Sequence, residues 1–373
     1  MPRSVPLQCE PLEERAMKIA LIAPPFIPVP PRTYGGTELF VHELARGLAR
    51  RGHRVILYAN GESVAPCELR YVFRDMDWPQ SDPGLASLKT LEHTAFAVED
   101  ALREGVDVIH GNDAMAVPFS RLSDVPFVHT LHHPHEPALS TLYERHPGVR
   151  YVAISRFQRA RERLPGCAII HHGLDLSEYP WTAKKDRYAC FLGRIAPIKG
   201  THLAVQAATR ARVPLKIAGE IQPMFREYWE SEVRPFVDGK TVEYVGEATA
   251  PVKKALLAGA SALLFPIQWN EPFGLVMIEA MACGTPVLAF PGGSVPEVVK
   301  HGVSGWICTG LDDLAARLAE PGISAAACRA HVESLFTTER MTEGYESIYR
   351  AADIAPHAAP PPAATAHHGA HSR

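Results

Sequence analysis

Several patterns that would assign this 373-residue chain to a special class of protein are missing from it. Its seven cysteines are scattered and none stands in a C-x-x-C pair, which favours a reduced compartment over a disulfide framework. The chain has no run of about 18 apolar residues, so the sequence predicts no hydrophobic membrane-spanning helix. The residues before Met17 lack the apolar core of a secretion signal. These absences favour a cytoplasmic protein and leave peripheral contact with the inner face of the membrane open.

An excess of one charge is also missing. Lys and Arg number 38 against 41 Asp and Glu, and the formal net charge is -3. Such a balance produces no overall field that gathers nucleic acid. The densest basic group, between Arg46 and Arg54, falls at the end of a predicted helix, where cations favour the negative end of the helix dipole. We therefore expect no nucleic-acid partner, and nothing in the sequence indicates the oligomeric state.

What the sequence does have is two successive series of short β-rich runs that alternate with amphipathic stretches. This alternation is typical of parallel sheets covered by helices, and single cores stop growing at about 250 to 300 residues. The sequence therefore predicts an α/β protein with two Rossmann-like domains that face each other across a cleft. Strands are predicted at 18–23, 54–58, 107–110, 126–131, 150–154 and 168–171 in the first series, and at 189–193, 215–218, 242–245, 262–266 and 286–290 in the second.

Helices and boundaries complete the predicted organisation. One helix is predicted over 38–51, and the stretch 175–187 lacks periodicity and suits an interdomain linker. Another helix is predicted to have an apolar face formed by Leu88, Leu91, Ala95, Val98 and Leu102. The predicted divisions are a flexible extension (1–16), an N-terminal domain (17–180), a C-terminal domain (181–336), a helix that crosses back to the N-terminal domain (337–353) and a disordered tail (354–373).

The strongest functional pattern spans residues 262–296, where an apolar strand ends in a polar loop and a helix opens at Leu275. Ligands of open α/β sheets bind beyond the carboxyl ends of the strands, so this loop has the expected position. The first N–H groups of the helix, from Gly274, Leu275 and Val276, suit an anionic diphosphate. The sequence therefore predicts a phosphate-binding helix N-terminus here.

Two acids and two cations accompany this helix. Glu271 lies in the loop and Glu279 lies in the helix, so they would touch different parts of one extended ligand, such as two sugars. Arg194 and Lys199 follow an earlier strand, and each is flanked by a glycine that permits tight turning and close ligand approach. Cations at this place would neutralise a diphosphate and stabilise it as a leaving group.

A second glycine turn and a histidine belong to the first series. Gly35 and Gly36 lack the third glycine of G-x-G-x-x-G, which argues against a nicotinamide enzyme, but their backbone can approach a bound sugar or phosphate. His132 ends an apolar strand and is expected to point into the cleft. His133 and His135 follow without the H-E-x-x-H spacing of a metal site, so we expect satisfied loop histidines and no metal.

These elements together resemble glycosyltransferase family 4. The stretch from Glu271 to Glu279, EPFGLVMIE, resembles the family's E-x7-E motif, and GRIAPIKG at 193–200 resembles its G-R-x4-K-G element. ACGTPVLA at 282–289 is similar to the next strand entry, Gly35-Gly-Thr-Glu38 to the glycine turn, and Leu131-His132 to the acceptor-side histidine. The resemblance runs from about residue 18 to about residue 352 and leaves out only the two ends.

The resemblance implies a GT-B fold and transfer of a hexose-type sugar from a nucleotide-diphosphate donor to a glycan, lipid or small-molecule hydroxyl, with retention. It implies no cofactor and no essential metal. Arg194 and Lys199 would hold the diphosphate, Glu279 the ribose and Glu271 the sugar, while His132 would contact the sugar near the reacting carbon. The remaining donor-binding residues would be the glycines and backbone groups: Gly35, Gly36, Phe273, Gly274, Leu275 and Val276.

Two departures from the family pattern and three alternatives stay open. His172-Gly173 stands where the family commonly has Asn-Gly, and Gly219-Glu220 is followed by Ile221 instead of a second glycine. The sequence therefore identifies neither the sugar nor the nucleobase of the donor. A GT-B epimerase or phosphorylase would share the fold, a lectin-like or other non-catalytic binding protein would not need the paired cations, and a dehydrogenase fits least well.

Overall fold

The computed structural model describes residues 15–33, 35–80 and 82–354, without the side chains of the last two. Apart from Arg15 and Ala16, the predicted flexible extension lies outside the described residues. The same holds for the predicted disordered tail after Ile354. The described chain forms two α/β units joined near the predicted linker.

The first unit contains a seven-stranded parallel sheet. Its strands are β1 (Lys18–Ile22), β2 (Arg54–Tyr58), β3 (Glu68–Arg70), β4 (Val108–Gly111), β5 (Phe127–Leu131), β6 (Arg150–Ala153) and β7 (Ala168–Ile169). Their order across the sheet is β3-β2-β1-β4-β5-β6-β7. Because a parallel sheet is covered on both faces, the central strands are apolar almost throughout, as in β1, where four of five residues are buried.

The second unit repeats the arrangement with six parallel strands. They are β8 (Ala189–Leu192), β9 (Leu215–Ala218), β10 (Val242–Gly246), β11 (Ala262–Phe265), β12 (Val287–Ala289) and β13 (Gly305–Ile307), in the order β10-β9-β8-β11-β12-β13. In both sheets the order reverses beside the first strand of the unit, which creates the crevice where such sheets bind ligands.

Helices cover both faces of each sheet. Those of the first unit are α1 (Gly36–Arg50), α2 (Pro83–Glu104), α3 (Pro137–Glu144) and α4 (Arg156–Arg159). The others are α5 (Thr201–Ala211), α6 (Arg226–Tyr228), α7 (Ala250–Gly259), α8 (Leu275–Ala282), α9 (Val295–Val298), α10 (Leu311–Ala319), α11 (Ala325–Leu335) and α12 (Thr338–Ile354). The predicted two-sheet α/β fold class is thereby confirmed.

The sequence prediction missed two edge strands and was wrong about Leu88 and Leu91 of one helix face, although Val98 of that face is buried as predicted. Strands β3 and β13 were not predicted, because each has three residues and too little pattern to detect. On α2, Leu88 and Leu91 were predicted to face the core but are 64% and 44% exposed. The helix instead buries polar residues such as His93, whose Nε2 lies 3.1 Å from the carbonyl oxygen of Ala23. This hydrogen bond offsets the cost of burying the His93 side chain. A prediction that assigns only apolar residues to the buried face of α2 is therefore wrong at this position.

Helix α12 crosses back and packs on α1. Its residues Met341, Tyr345 and Tyr349 are buried in the same apolar cluster as the core of the first unit. At the crossing, a Cβ added to Gly47 would lie 2.0 Å from Thr342 Oγ1. The two helices can therefore approach this closely only because residue 47 has no side chain.

We predict that Gly47→Ala lowers the free energy of unfolding by about 1–3 kcal/mol, because the added methyl group forces α1 and α12 apart. Urea titration followed by circular dichroism measures this change. The matched control is Gly84→Ala in the exposed first turn of α2, where the nearest atom lies 3.3 Å from the added Cβ. That change is expected to be neutral or stabilising, since alanine favours helix. A Gly47→Ala variant as stable as the parent would contradict this account of the crossing.

Candidate active site

A cleft of about 440 Å³ lies between the two sheets. Its walls contain residues that directly follow strands of both units, including His132 after β5, Ile154 after β6, Gly193 after β8 and Gly219 after β9. The carboxyl ends of both sheets therefore face the same space, as expected for ligand sites in such folds. All the site residues predicted from the sequence line this cleft: Gly35, Gly36, His132, Arg194, Lys199, Glu271, Phe273, Gly274, Leu275, Val276 and Glu279.

The two predicted cations, Lys199 and Arg194, differ in the strength of their contacts within the protein. Lys199 Nζ lies 2.7 Å from Glu271 Oε2 and 4.4 Å from the centre of the Trp269 ring. Arg194 is bound more weakly, because its Nη1 reaches Gln222 Oε1 only at 3.5 Å, and its Nε is buried with no hydrogen-bond partner in the described chain. A buried guanidinium N–H without an acceptor is costly. Arg194 is thus available to an anion.

Two helix N-termini face each other across the cleft. Helix α8 begins after Gly274, which has a left-handed backbone with φ of 81°, and α1 begins at Gly36. A Cβ added to Gly36 would lie 3.7 Å from Leu275 Cδ1, so the two helix starts nearly touch. The first N–H groups of a helix have no acceptor within the helix, and its dipole is positive at that end. The arrangement can bind negative charge from both sides.

Both predicted acids are buried and held by hydrogen bonds. Besides Lys199, Glu271 Oε2 accepts a hydrogen bond of 3.0 Å from Trp269 Nε1. Glu279 Oε1 lies 2.5 Å from Lys253 Nζ and accepts a hydrogen bond of 3.1 Å from the hydroxyl of Tyr179. Each carboxylate therefore lies beside its own cation, and its oxygen atoms can accept further hydrogen bonds from hydroxyl groups.

His132 is held as a neutral imidazole. Burial, together with the nearby His172 ring, lowers its pKa well below the usual value. The side-chain N–H of Asn112 donates a hydrogen bond to the carbonyl oxygen of Ile22. Asn112 Oδ1 therefore faces His132 Nε2 at 2.9 Å and accepts a hydrogen bond from the Nε2–H group. The other ring nitrogen, Nδ1, then carries the lone pair.

The neighbouring histidines are engaged within the N-terminal unit. His133 Nε2 lies 2.6 Å from the hydroxyl of Tyr143, and His135 Nδ1 lies 3.0 Å from Glu162 Oε1. Within the described ranges, no group of three or more His, Cys, Asp or Glu side chains has the arrangement to hold a metal ion. In the same part of the chain, no helix is long and apolar enough to cross a bilayer.

Glu38 lines the cleft but was not among the site residues predicted from the sequence. It lies in the first turn of α1 and is 6% exposed, and no Lys or Arg among the described side chains contributes to its pKa. Burial raises its pKa to about 7. Its position two residues after Gly36 was visible, but the pKa depends on burial and on the lack of a cation, which a sequence does not display. Asn112 and Lys253 were missed for the same reason, since their partners are distant in the chain.

Two family models match the chain in succession. Residues 34–178 match the model described as Glycosyltransferase Family 4, and residues 180–320 match Glycosyl transferases group 1. A glycogen synthase of Mycobacterium tuberculosis is similar at 26% identity, over 87% of this chain and 92% of that protein. Together the two models cover every strand of both sheets except β1.

Solved structures show the same architecture. AviGT4, a glycosyltransferase involved in avilamycin A biosynthesis, is 27% identical and superposes with a TM-score of 0.69 over 90% of this chain and 97% of its own. HepE of Anabaena, solved with UDP and glucose, is 19% identical with a TM-score of 0.69, over 90% of this chain and all of that one (100%), and shows the fold alone. Together with the two family models, these likenesses identify the chain as a GT-B glycosyltransferase of the family 4 type.

Proposed function

We propose that this enzyme transfers a hexose-type sugar from a nucleotide-diphosphate donor to an acceptor hydroxyl, with retention at the anomeric carbon and without an essential metal. The observation that carries the proposal is the convergence of groups for one anion in the cleft. Arg194 has a buried N–H without an acceptor, Lys199 lies nearby, and the N-terminus of α8 opens onto the same space. A diphosphate satisfies all three.

The rest of the donor extends from that diphosphate in two directions. Glu279 accepts hydrogen bonds from the ribose, and Glu271 accepts them from hydroxyl groups of the sugar. Each acid is held by its own cation, Lys253 for Glu279 and Lys199 for Glu271. The Gly35-Gly36 turn lets the start of α1 approach the sugar or phosphate from the opposite side. His132, whose Nδ1 carries a lone pair, accepts a hydrogen bond from the sugar near the reacting carbon.

The transfer takes place on one face of the sugar. The bond between the anomeric carbon and the diphosphate oxygen breaks, and the acceptor oxygen forms its bond from the same side. The acceptor proton passes to the departing diphosphate, so no protein carboxylate needs to form a covalent intermediate. Negative charge develops on the leaving diphosphate, and it is stabilised by Arg194, Lys199 and the α8 N-terminus. These groups take the role that a divalent cation has in other transferases. Domain closure excludes water.

The remaining alternatives have less support. A GT-B epimerase or phosphorylase shares the architecture, but the family 4 and group 1 matches favour transfer to an acceptor. A non-catalytic nucleotide-sugar binding protein needs no neutral histidine held beside the sugar site. The acceptor is a glycan, a lipid or a small molecule. Because HepE was solved with UDP, the uridine donors are the first to test, beside those of adenosine and guanosine.

We predict that Arg194→Ala combined with Lys199→Ala weakens binding of the preferred nucleoside diphosphate by at least about 100-fold, because two charge-assisted contacts are lost. Calorimetry with UDP, ADP, GDP and NAD on metal-free protein measures this. The matched control, Arg210→Ala with Lys240→Ala, removes the same charges outside the cleft and is expected to leave the affinity unchanged. Binding of NAD alone, or unaltered affinity in the cleft double variant, would remove the donor assignment.

We predict that Glu271→Gln and Glu279→Gln separate the two halves of the donor. Glu279→Gln is expected to weaken both the nucleoside diphosphate and its sugar conjugate, because both contain the ribose. Glu271→Gln is expected to weaken only the conjugate, about tenfold, since a hydrogen bond to a charged group is lost. Titration of each variant with UDP and UDP-glucose, or with the matching pair for another base, checks this. The opposite pattern would exchange the two assignments.

We predict that Glu38 makes donor affinity depend on pH. With a pKa of about 7, the Glu38 carboxyl is largely protonated at pH 6 and ionised at pH 8. An incoming diphosphate favours the protonated form, so affinity should fall severalfold as the pH rises through 7. The Glu38→Gln variant should lose this pH dependence of the affinity. Ionisation of the ligand affects both proteins equally, so it cancels when their affinities are compared. Parallel pH profiles of parent and variant would refute the coupling.

A further inference from the structure

His172, at the position where this chain departs from the family pattern, lies inside the cleft. The residue is 4% exposed and belongs to the cleft lining. Its ring stacks on His132, with centroids 5.7 Å apart and planes inclined by 18°. It also meets the Phe273 ring edge-on, with centroids 4.8 Å apart. His172 therefore stands between the proposed sugar-site residues of the two domains.

The packing of His172 does not require its polar atoms. Nδ1 is buried and has no hydrogen-bond partner in the described part of the chain. The ring also packs 4.8 Å from Phe40, which offers no polar group. A phenylalanine could make these three ring contacts without the cost of burying an unpaired nitrogen. Unlike His129, which is also buried, His172 lines the cleft, so a ligand bound there can contact its ring.

The chemistry of the ring indicates the kind of partner. Burial lowers the pKa of His172 to about 3, so the imidazole is neutral, with one N–H donor and one lone pair. A neutral ring cannot neutralise the charge of a diphosphate, and Arg194 and the α8 N-terminus already serve that purpose. A hydroxyl group both donates and accepts, and it matches a neutral imidazole in either orientation.

We propose that His172 hydrogen-bonds a hydroxyl of the transferring sugar and thereby contributes to the choice of donor sugar. This inference rests on the proposed transferase function. Beside His132 and Phe273, the ring reaches the sugar from the segment that joins the two domains. An asparagine at this position would be shorter and would present its polar atoms at a different depth, so it would meet a different hydroxyl.

The test uses His172→Phe, which keeps the ring contacts and removes both nitrogens. Calorimetry with UDP, ADP and GDP first identifies the nucleoside diphosphate that binds the parent enzyme. The variant is then titrated with that diphosphate and with its glucose conjugate. We expect the affinity for the diphosphate to stay within twofold and the affinity for the conjugate to fall about tenfold, as for the loss of one hydrogen bond. The melting temperature should not fall, because an unpaired buried nitrogen has been removed.

His129→Phe is the matched control. His129 is also a buried histidine of the N-terminal unit, at 2% exposure, but it does not line the cleft. It is expected to change neither affinity. If His172→Phe fails to fold, His172→Asn takes its place, and the expected result is a changed ratio of affinities for the glucose and galactose conjugates with unchanged affinity for the diphosphate.

Three results would overturn the inference or its foundation. Parent-like affinity of His172→Phe for the conjugate, or an unchanged ratio in His172→Asn, would mean that no sugar hydroxyl meets this ring. Equal weakening of the diphosphate and the conjugate would assign His172 a purely structural role. Failure of the parent enzyme to bind any of the three diphosphates would instead remove the proposed donor site, and the inference with it.

Discussion

The buried carboxylate of Glu43 holds together three segments on which the cleft depends. Its Oε2 accepts hydrogen bonds from Thr338 Oγ1 at 2.5 Å, from Arg46 Nη2 at 2.7 Å and from the backbone N–H of Asp175 at 3.1 Å. These donors belong to the start of α12, to α1 itself and to the segment that joins the two sheets. A buried charge is tolerated when it is paired and hydrogen-bonded in this way. One oxygen atom thus fixes α1 against both the crossing helix and the interdomain segment.

The position of α1 in turn determines the electrostatics of the site. Its N-terminus meets that of α8 across the cleft, and the positive ends of two helix dipoles approach one space. Lys199 is already oriented by Glu271, and Lys253 by Glu279. The charged groups are therefore in place before a ligand enters, which lowers the reorganisation that charge development would otherwise require. Arg194, whose Nε has no hydrogen-bond partner in the described part of the chain, lines the same cleft.

The sequence predicted those features that depend on short, local pattern. Strands such as β2 and β9 were predicted at their observed bounds, because apolar runs bounded by turn residues have few alternatives. The site residues that follow strands, such as Arg194 and His132, were placed at one cleft because parallel strands end at one edge.

Features set by distant contacts could not be read in this way. The pairing of Asn112 with His132, the raised pKa of Glu38 and the unpaired nitrogen of His172 all depend on which side chains meet after folding. Leu88 was misplaced for a related reason, because the sheet-facing side of α2 is held by internal hydrogen bonds of polar residues.

The central claim is that the cleft between the sheets binds the diphosphate of a nucleotide sugar, and a crystal structure of the enzyme with its nucleoside diphosphate tests it most directly. We predict that the phosphates lie within hydrogen-bond distance of Arg194, Lys199 and the N–H groups of Leu275 and Val276. The ribose should then lie on Glu279. A diphosphate bound outside this cleft, or bound within it without contacting Arg194 or the α8 N-terminus, would contradict the account.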